Sequence, residues 1–208
     1  IFALLLNEVR STAFRKVVQT VTYMPHFVSS VVVCGLMVIF CRSDGLLTSV
    51  LTHFGMPKTN LLTIEAYFQP LYIGMNIWQE LGWDSIIYFA ALTSVDAALY
   101  EAARVDGAGR WRQMWHITLP GIAPTIVILL ILRIGNLMSL GWDRIILMYN
   151  DMVMETADVI STYVYRTGLQ QVQYSYATAV GLLNSIINVI LLVSTNAISR
   201  KISDNSLW

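Results

Sequence analysis

Four stretches of this chain are apolar for about as long as a bilayer is thick, and nothing else constrains its fold so strongly. Crossing roughly 30 Å of hydrocarbon takes a helix of about 20 predominantly apolar residues. Tyr23 to Cys41 meets that requirement, with Pro25 tolerated in the first turn. Ala66 to Val95 is longer and is interrupted by Gln79, Glu80, Gly82 and Asp84, which leaves room for one tilted span and a further helix near the interface. Gly121 to Leu140 is the third stretch and carries Arg133 and Asn136. Ala177 to Ile198 is the cleanest, with only uncharged polar residues such as Asn184, Ser185 and Asn188. The apolar start, Ile1 to Leu6, reads as the tail of an earlier span, so the expectation is of a sequence that lacks its N-terminus. The expected fold is all-α, a polytopic transmembrane helical bundle forming one domain over residues 1–208.

Composition points the same way. The chain is 56% hydrophobic and only 12% charged, with a mean hydropathy of +0.60. A soluble domain carries about a quarter charged residues, because water must solvate its surface. A formal net charge of zero gives no reason to expect nucleic acid as a partner. Cys34 and Cys41 lie about two helical turns apart, too far to bridge, and are expected as small core residues. His26, His53 and His116 are scattered, and no Cys/His spacing points to a metal.

The Lys and Arg distribution sets an orientation. With a cytoplasmic C-terminus, the inner segments hold Arg10, Arg15, Lys16, Arg104, Arg110, Arg112, Arg200 and Lys201. The outer segments, Arg42 to Glu65 and Gly141 to Tyr176, hold Arg42, Lys58, Arg144 and Arg166. The excess on the first side makes it the cytoplasmic one.

Residues 96–119, between the second and third apolar runs, then face the cytoplasm. Ala97, Ala98, Leu99, Glu101, Ala102 and Ala103 favour a helix, Asp96 is suited to cap it, and Gly107 is placed to end it. A second short helix over Arg110 to Ile117 is expected to carry Trp111, Met114 and Trp115 on one side, with Pro120 opening the next span. Small residues beside apolar anchors suit docking to another protein, and equally suit a connector lying on lipid headgroups.

Glu101-Ala102-Ala103, Asp106-Gly107-Ala108, Ile117, Leu119-Pro120 and Pro124 resemble the EAA signature of binding-protein-dependent ABC importer permeases, with the glycine after a three-residue gap. Met114 stands where that family commonly has phenylalanine, and an apolar anchor survives. The resemblance covers essentially the whole chain and implies the type I ABC importer permease (MetI-like) fold. It implies that the loop is a coupling helix seated in an ATP-binding subunit, with Glu101, Ala102, Ala103, Asp106, Gly107, Ala108, Trp111, Met114, Ile117, Leu119 and Pro120 at or near the contact. It also implies two ATP-binding subunits, a homologous second permease and an extracytoplasmic solute-binding lipoprotein as partners, in a bacterial plasma (inner) membrane. No Gly-x-x-x-x-Gly-Lys-[Ser/Thr] loop occurs, so the chain is expected to be non-catalytic, with no cofactor and no metal. Tyr23-Met-Pro25-His26, Asn76 to Trp83, and Glu155 to Ile160 resemble carbohydrate permeases of the maltose-transporter type. The tail Ser199 to Trp208 is similar to the branch that serves large oligosaccharides.

Charges at membrane depth are costly and face protein or water. Two expectations follow for the polar residues of the spans. Either Asn76, Gln79, Glu80, Arg133 and Asn136 line a hydrophilic path for sugar hydroxyls, or Arg133 pairs with Glu80 or Asp84 and only fixes helix packing. Trp78, Trp83, Tyr88, Trp142 and Tyr149 either stack on sugar rings or, as most membrane aromatics do, serve as interfacial anchors. Asp151, Glu155 and Asp158 are expected to contact a binding protein or cap a short helix over Glu155 to Val164. An importer of another small solute, a secondary transporter and an intramembrane enzyme are the rival functions. No internal repeat supports the second, and neither His-Glu-x-x-His nor Gly-x-Ser-x-Gly supports the third.

Overall fold

The structure, a computed structural model, describes residues 1–139 and 141–202. Leu140, where the third apolar run ends, and the Ser203 to Trp208 part of the tail lie outside the described residues. Among the described residues every regular element is helical. In chain order these are α1 (Phe2–Asn7), α2 (Thr12–Tyr23, continued by a 3-10 turn at Met24–Phe27), α3 (Ser30–Cys41), α4 (Leu46–Thr52), α5 (Glu65–Thr93) and α6 (Ala97–Val105). They are followed by α7 (Arg110–Gly135), α8 (Trp142–Met148), α9 (Met154–Ala157), α10 (Ile160–Tyr165) and α11 (Tyr174–Ile202).

Arg110–Gly135 and Tyr174–Lys201 are each long and apolar enough to cross a membrane alone. Thr12–Phe27 with Ser30–Cys41, and Glu65–Thr93 with Ala97–Val105, qualify as pairs bent by 97° and 68°. On α11, Leu182, Leu183, Ile186, Val189, Ile190 and Val193 all stay exposed, so its apolar surface is left for lipid or other helices.

Four local expectations need correction. The Tyr23 to Cys41 run is not one straight helix. It breaks at Val28 and Ser29, whose ψ values are 132° and 145°. Ser29 caps the new helix, its Oγ accepting from the Val32 N–H at 3.4 Å. The 12 residues of α3 rise only about 18 Å, short of a bilayer core. The Ala66 to Val95 run, by contrast, is one uninterrupted helix as far as Thr93, and the polar groups expected to break it find partners on other segments. Pro70 is tolerated there in the second turn.

Pro120 does not open a new helix either. Arg110 to Gly135 is continuous, and the turns before the proline widen to π geometry over Met114–Thr118. Such widening relieves the clash of a proline ring with the carbonyl four residues back. Finally, the helix expected over Glu155 to Val164 is two helices. Asp158 and Val159 are extended between them, and the Val159 N–H donates to Thr162 Oγ1 at 2.9 Å.

The chain forms two compact units. One contains Ile1–Thr20, Leu81–Leu137 and Asn188 onward. Its core gathers Ala3, Leu92 and Ile122, with Leu4, Tyr88, Phe89, Val95 and Ile126 against them. Gly121 is required here, because a Cβ would sit 2.9 Å from Val95 Cγ2. The other unit contains Val21–Glu80 and Met138–Ile187. Cys34 and Cys41 are fully buried in its core as free thiols, among Leu61, Phe68, Met75, Ile145, Met148 and Val153. Thr48 Oγ1 donates to the Cys41 carbonyl at 3.0 Å and so ties α4 to the end of α3.

Candidate functional site: a capped loop and a half-buried polar cluster

The α6–α7 loop is built by its capping residues. Asp96 Oδ1 accepts from the Ala98 N–H at 2.9 Å and starts α6. Gly107, at φ +75°, ends it in the left-handed conformation that glycine adopts without strain. The Ala108 N–H reaches back to the Ala103 carbonyl at 2.8 Å and the Gly107 N–H to Arg104 at 3.1 Å, the paired bonds of a Schellman cap. Gln113 Nε2 donates to the Ala108 carbonyl at 2.7 Å, and the hydroxyls of Tyr100 and Thr118 bond at 2.9 Å. These contacts fix the two arms of the loop to each other.

The loop's outer surface carries large apolar side chains among charged ones. Val105 is 88% exposed, Trp111 72% and Trp115 64%, with Leu99 also exposed. Glu101, Ala102, Asp106, Gly107 and Pro120 are exposed, and Ala103, Ala108, Met114, Ile117 and Leu119 are half-buried. A rigid, capped loop that holds large apolar groups in the open is a surface suited to a partner.

The polar residues of the apolar runs do not form one cluster. In the unit holding the loop, Arg133 makes an ion pair with Asp84, so the pairing expectation describes its geometry. Asn136 bonds back to the Leu132 carbonyl at 3.0 Å. In the other unit, Asn76 and Glu80 meet Arg144, which the sequence counted only as an outer-side cation. Arg144 Nη2 lies 2.6 Å from Glu80 Oε1, its Nη1 donates to Asn76 Oδ1, and its Nε donates to Ser30 Oγ at 3.4 Å. His26 Nδ1 is 2.8 Å from the other Glu80 oxygen. Gln79 is only 2% exposed and donates to the Val28 carbonyl at 3.0 Å, so it seals the helix break rather than facing a channel.

One signal for Arg144 was available. Glu80 and Asp84 in one apolar helix demand two cations, and Arg133 satisfies only one. Arg144, directly before Ile145-Ile146-Leu147-Met148, is one of the cations that adjoin an apolar run.

In the segment after α8, Asp158 receives Arg166 Nη2 at 2.6 Å and Thr162 Oγ1 at 2.6 Å. Burial pushes the Asp158 carboxyl up, but the hydrogen bonds from Arg166 and Thr162 outweigh it and hold the group below the usual carboxylate range. The same bond raises Arg166, whose guanidinium also lies 5.7 Å from the Tyr163 ring centre. Trp142 packs on Tyr165 with ring centres 5.5 Å apart.

The sequence matches the family described as the binding-protein-dependent transport system inner membrane component over residues 1–204. The chain belongs to that family. This permease chain is 48% identical, over its full length, to the polygalacturonan/rhamnogalacturonan transport system permease protein YteP of Bacillus subtilis, and 43% identical to the protein LplB of the same organism. It spans 65% and 66% of the length of those two relatives. Among solved structures it is similar to a chain of a bacterial ABC transporter involved in import of the acidic polysaccharide alginate. The TM-score is 0.94 at 47% identity, covering 97% of this chain and 71% of that one. A second structure of the alginate transporter, in complex with an alginate pentasaccharide-bound periplasmic protein, matches with a TM-score of 0.95 at 46% identity and covers 99% of this chain and 72% of that one. The all-α permease fold and the multi-pass placement in a bacterial inner membrane follow from this membership.

Proposed function

We propose that this chain is the non-catalytic permease subunit of an ATP-driven ABC importer and forms the translocation path for an oligosaccharide. The observation that carries the reading is the Schellman-capped loop from Ala97 to Thr118, tied by its own hydrogen bonds and holding Val105, Trp111 and Trp115 exposed among charged residues. One of two ATP-binding subunits takes Trp111, Trp115 and Val105 as anchors, while Ala102 and Ala103 allow close approach. ATP drawing those subunits together moves the loop, and the continuous helix Arg110–Gly135 carries the motion away from it. A homologous second permease completes the path, an extracytoplasmic lipoprotein delivers the cargo, and the C-terminus is cytoplasmic.

The similarity to permeases of polygalacturonan and alginate systems supports uronate-rich oligosaccharides as the cargo class. Of the candidate path residues, Asn76 and Glu80 belong to the Arg144 cluster, whose partial exposure supports a position at the edge of the path. Uptake by proteoliposomes tests the reading. The chain co-assembled with its second permease, ATPase and binding protein should accumulate oligogalacturonate or oligoalginate only when ATP is present. Uptake driven by an ion gradient without ATP would reject it in favour of a secondary transporter.

A further inference from the structure

We propose that the helix break at Val28–Ser29 is a working hinge, and that Gln79, Glu80 and Arg144 are the clamp that holds its bent arrangement. The contacts fall on three successive points of the break. Before it, His26 Nδ1 meets Glu80 at 2.8 Å. At it, the Val28 carbonyl accepts from Gln79 Nε2 at 3.0 Å. After it, Ser30 Oγ accepts from Arg144 Nε at 3.4 Å. The Glu80–Arg144 bond of 2.6 Å then joins α5 to α8, so the holders on both sides of the break are held by each other.

Backbone that leaves the helix at membrane depth survives only where other groups satisfy it. Here the Val28 carbonyl is satisfied by a side chain, and a side-chain bond is exchanged without unwinding either helix. Among the described residues the bent arrangement also leaves Gln79 Oε1 buried without a hydrogen-bond partner. A buried acceptor left unpaired raises the energy of the state that contains it, so an arrangement that paired it would gain on the bent one. Gln79, Glu80 and Arg144 are positioning residues in this account. They act on the break and need not touch cargo.

The inference rests on the importer reading for its trigger, ATP, and its test separates the two. Met24→Cys and Ile39→Cys, on either side of the break and both exposed, carry spin labels. Native Cys34 and Cys41 are fully buried and stay unlabelled. The label–label distance is measured in the assembled complex without nucleotide and after trapping with ATP and vanadate. The expected result is one distance without nucleotide and a second after trapping. Glu80→Gln and Gln79→Leu should make the second distance the major population before nucleotide is added. Arg144→Lys, which keeps the charge but loses the fork, should do the same even where Arg144→Met fails to assemble. One unchanged distance across all states and variants, with only a lowered melting temperature in the variants, would overturn the hinge. If no ATPase co-purifies with the chain, the importer reading fails by itself, and the comparison of wild type with Glu80→Gln still decides the hinge.

Discussion

Substituting Gly107 separates backbone conformation from contact at the docking loop. Its φ of +75° lies in the left-handed region, yet an added Cβ would meet no heavy atom within 4 Å. The cost of a side chain is therefore conformational and not a clash with neighbours. Holding an L residue in that region costs about 1–2 kcal/mol, with a β-branched side chain at the upper end and asparagine below it. A change of that size moves the balance between capped and frayed loop by roughly 5–30-fold. The bonds lost on fraying are those from Ala108 to Ala103 and from Gly107 to Arg104. Gly107→Val should leave the chain inserted and assembled while ATP is hydrolysed with little uptake. Gly107→Asn should keep most of the coupling, and Gly107→Ala should fall between. Measuring uptake and phosphate release in the same proteoliposomes gives the coupling ratio directly. If valine and asparagine lower that ratio equally, the added side chain and not the backbone is at fault. If valine leaves it unchanged, the cap has no part in coupling.

Three further outcomes follow from packing and charge. Arg133→Met leaves the Asp84 carboxylate without its cation in an apolar run, whereas Asp84→Asn with Arg133→Met leaves no charge there, so the double variant should melt above Arg133→Met alone in a thermal scan of the purified protein. Gly121→Ala should be destabilised by about 1–3 kcal/mol through overlap with Val95, and Val95→Ala in the same chain should recover much of that loss in the same scan. Asp158 is held below its ordinary range, so its pairing with Arg166 stabilises fully above the unfolded value of about 3.9 and loses that effect as pH falls through the lower folded value. The difference in melting temperature between wild type and Asp158→Asn should thus be full at about pH 7 and close below about pH 4; a difference that persists in acid would sink the argument.

What the sequence revealed and what it hid divide along one physical line. The ends of α6 were legible because Asp96 and Gly107 act on backbone groups two to four residues away. The apolar runs beginning at Gly121 and Ala177, which fall within the helices Arg110–Gly135 and Tyr174–Lys201, were legible because lipid, an unstructured solvent, asks only for length and hydropathy. Where a partner from elsewhere in the chain decides the outcome, local pattern misleads in both directions. Gln79, Glu80 and Asp84 looked like an interruption of α5, yet they receive Arg144 and Arg133 or donate to Val28, and the helix runs through them. Val28 and Ser29 looked like the inside of a span, yet the chain bends there. The two errors have a common cause. The polar side chains that keep α5 whole are in part those that satisfy the break after Phe27, so neither segment has its native form without the other. A polar residue in an apolar run is therefore best read as a demand for a partner. Balancing Glu80 and Asp84, the two acids inside the apolar part of α5, against the cations in apolar surroundings would have pointed toward Arg144, and through it to the clamp.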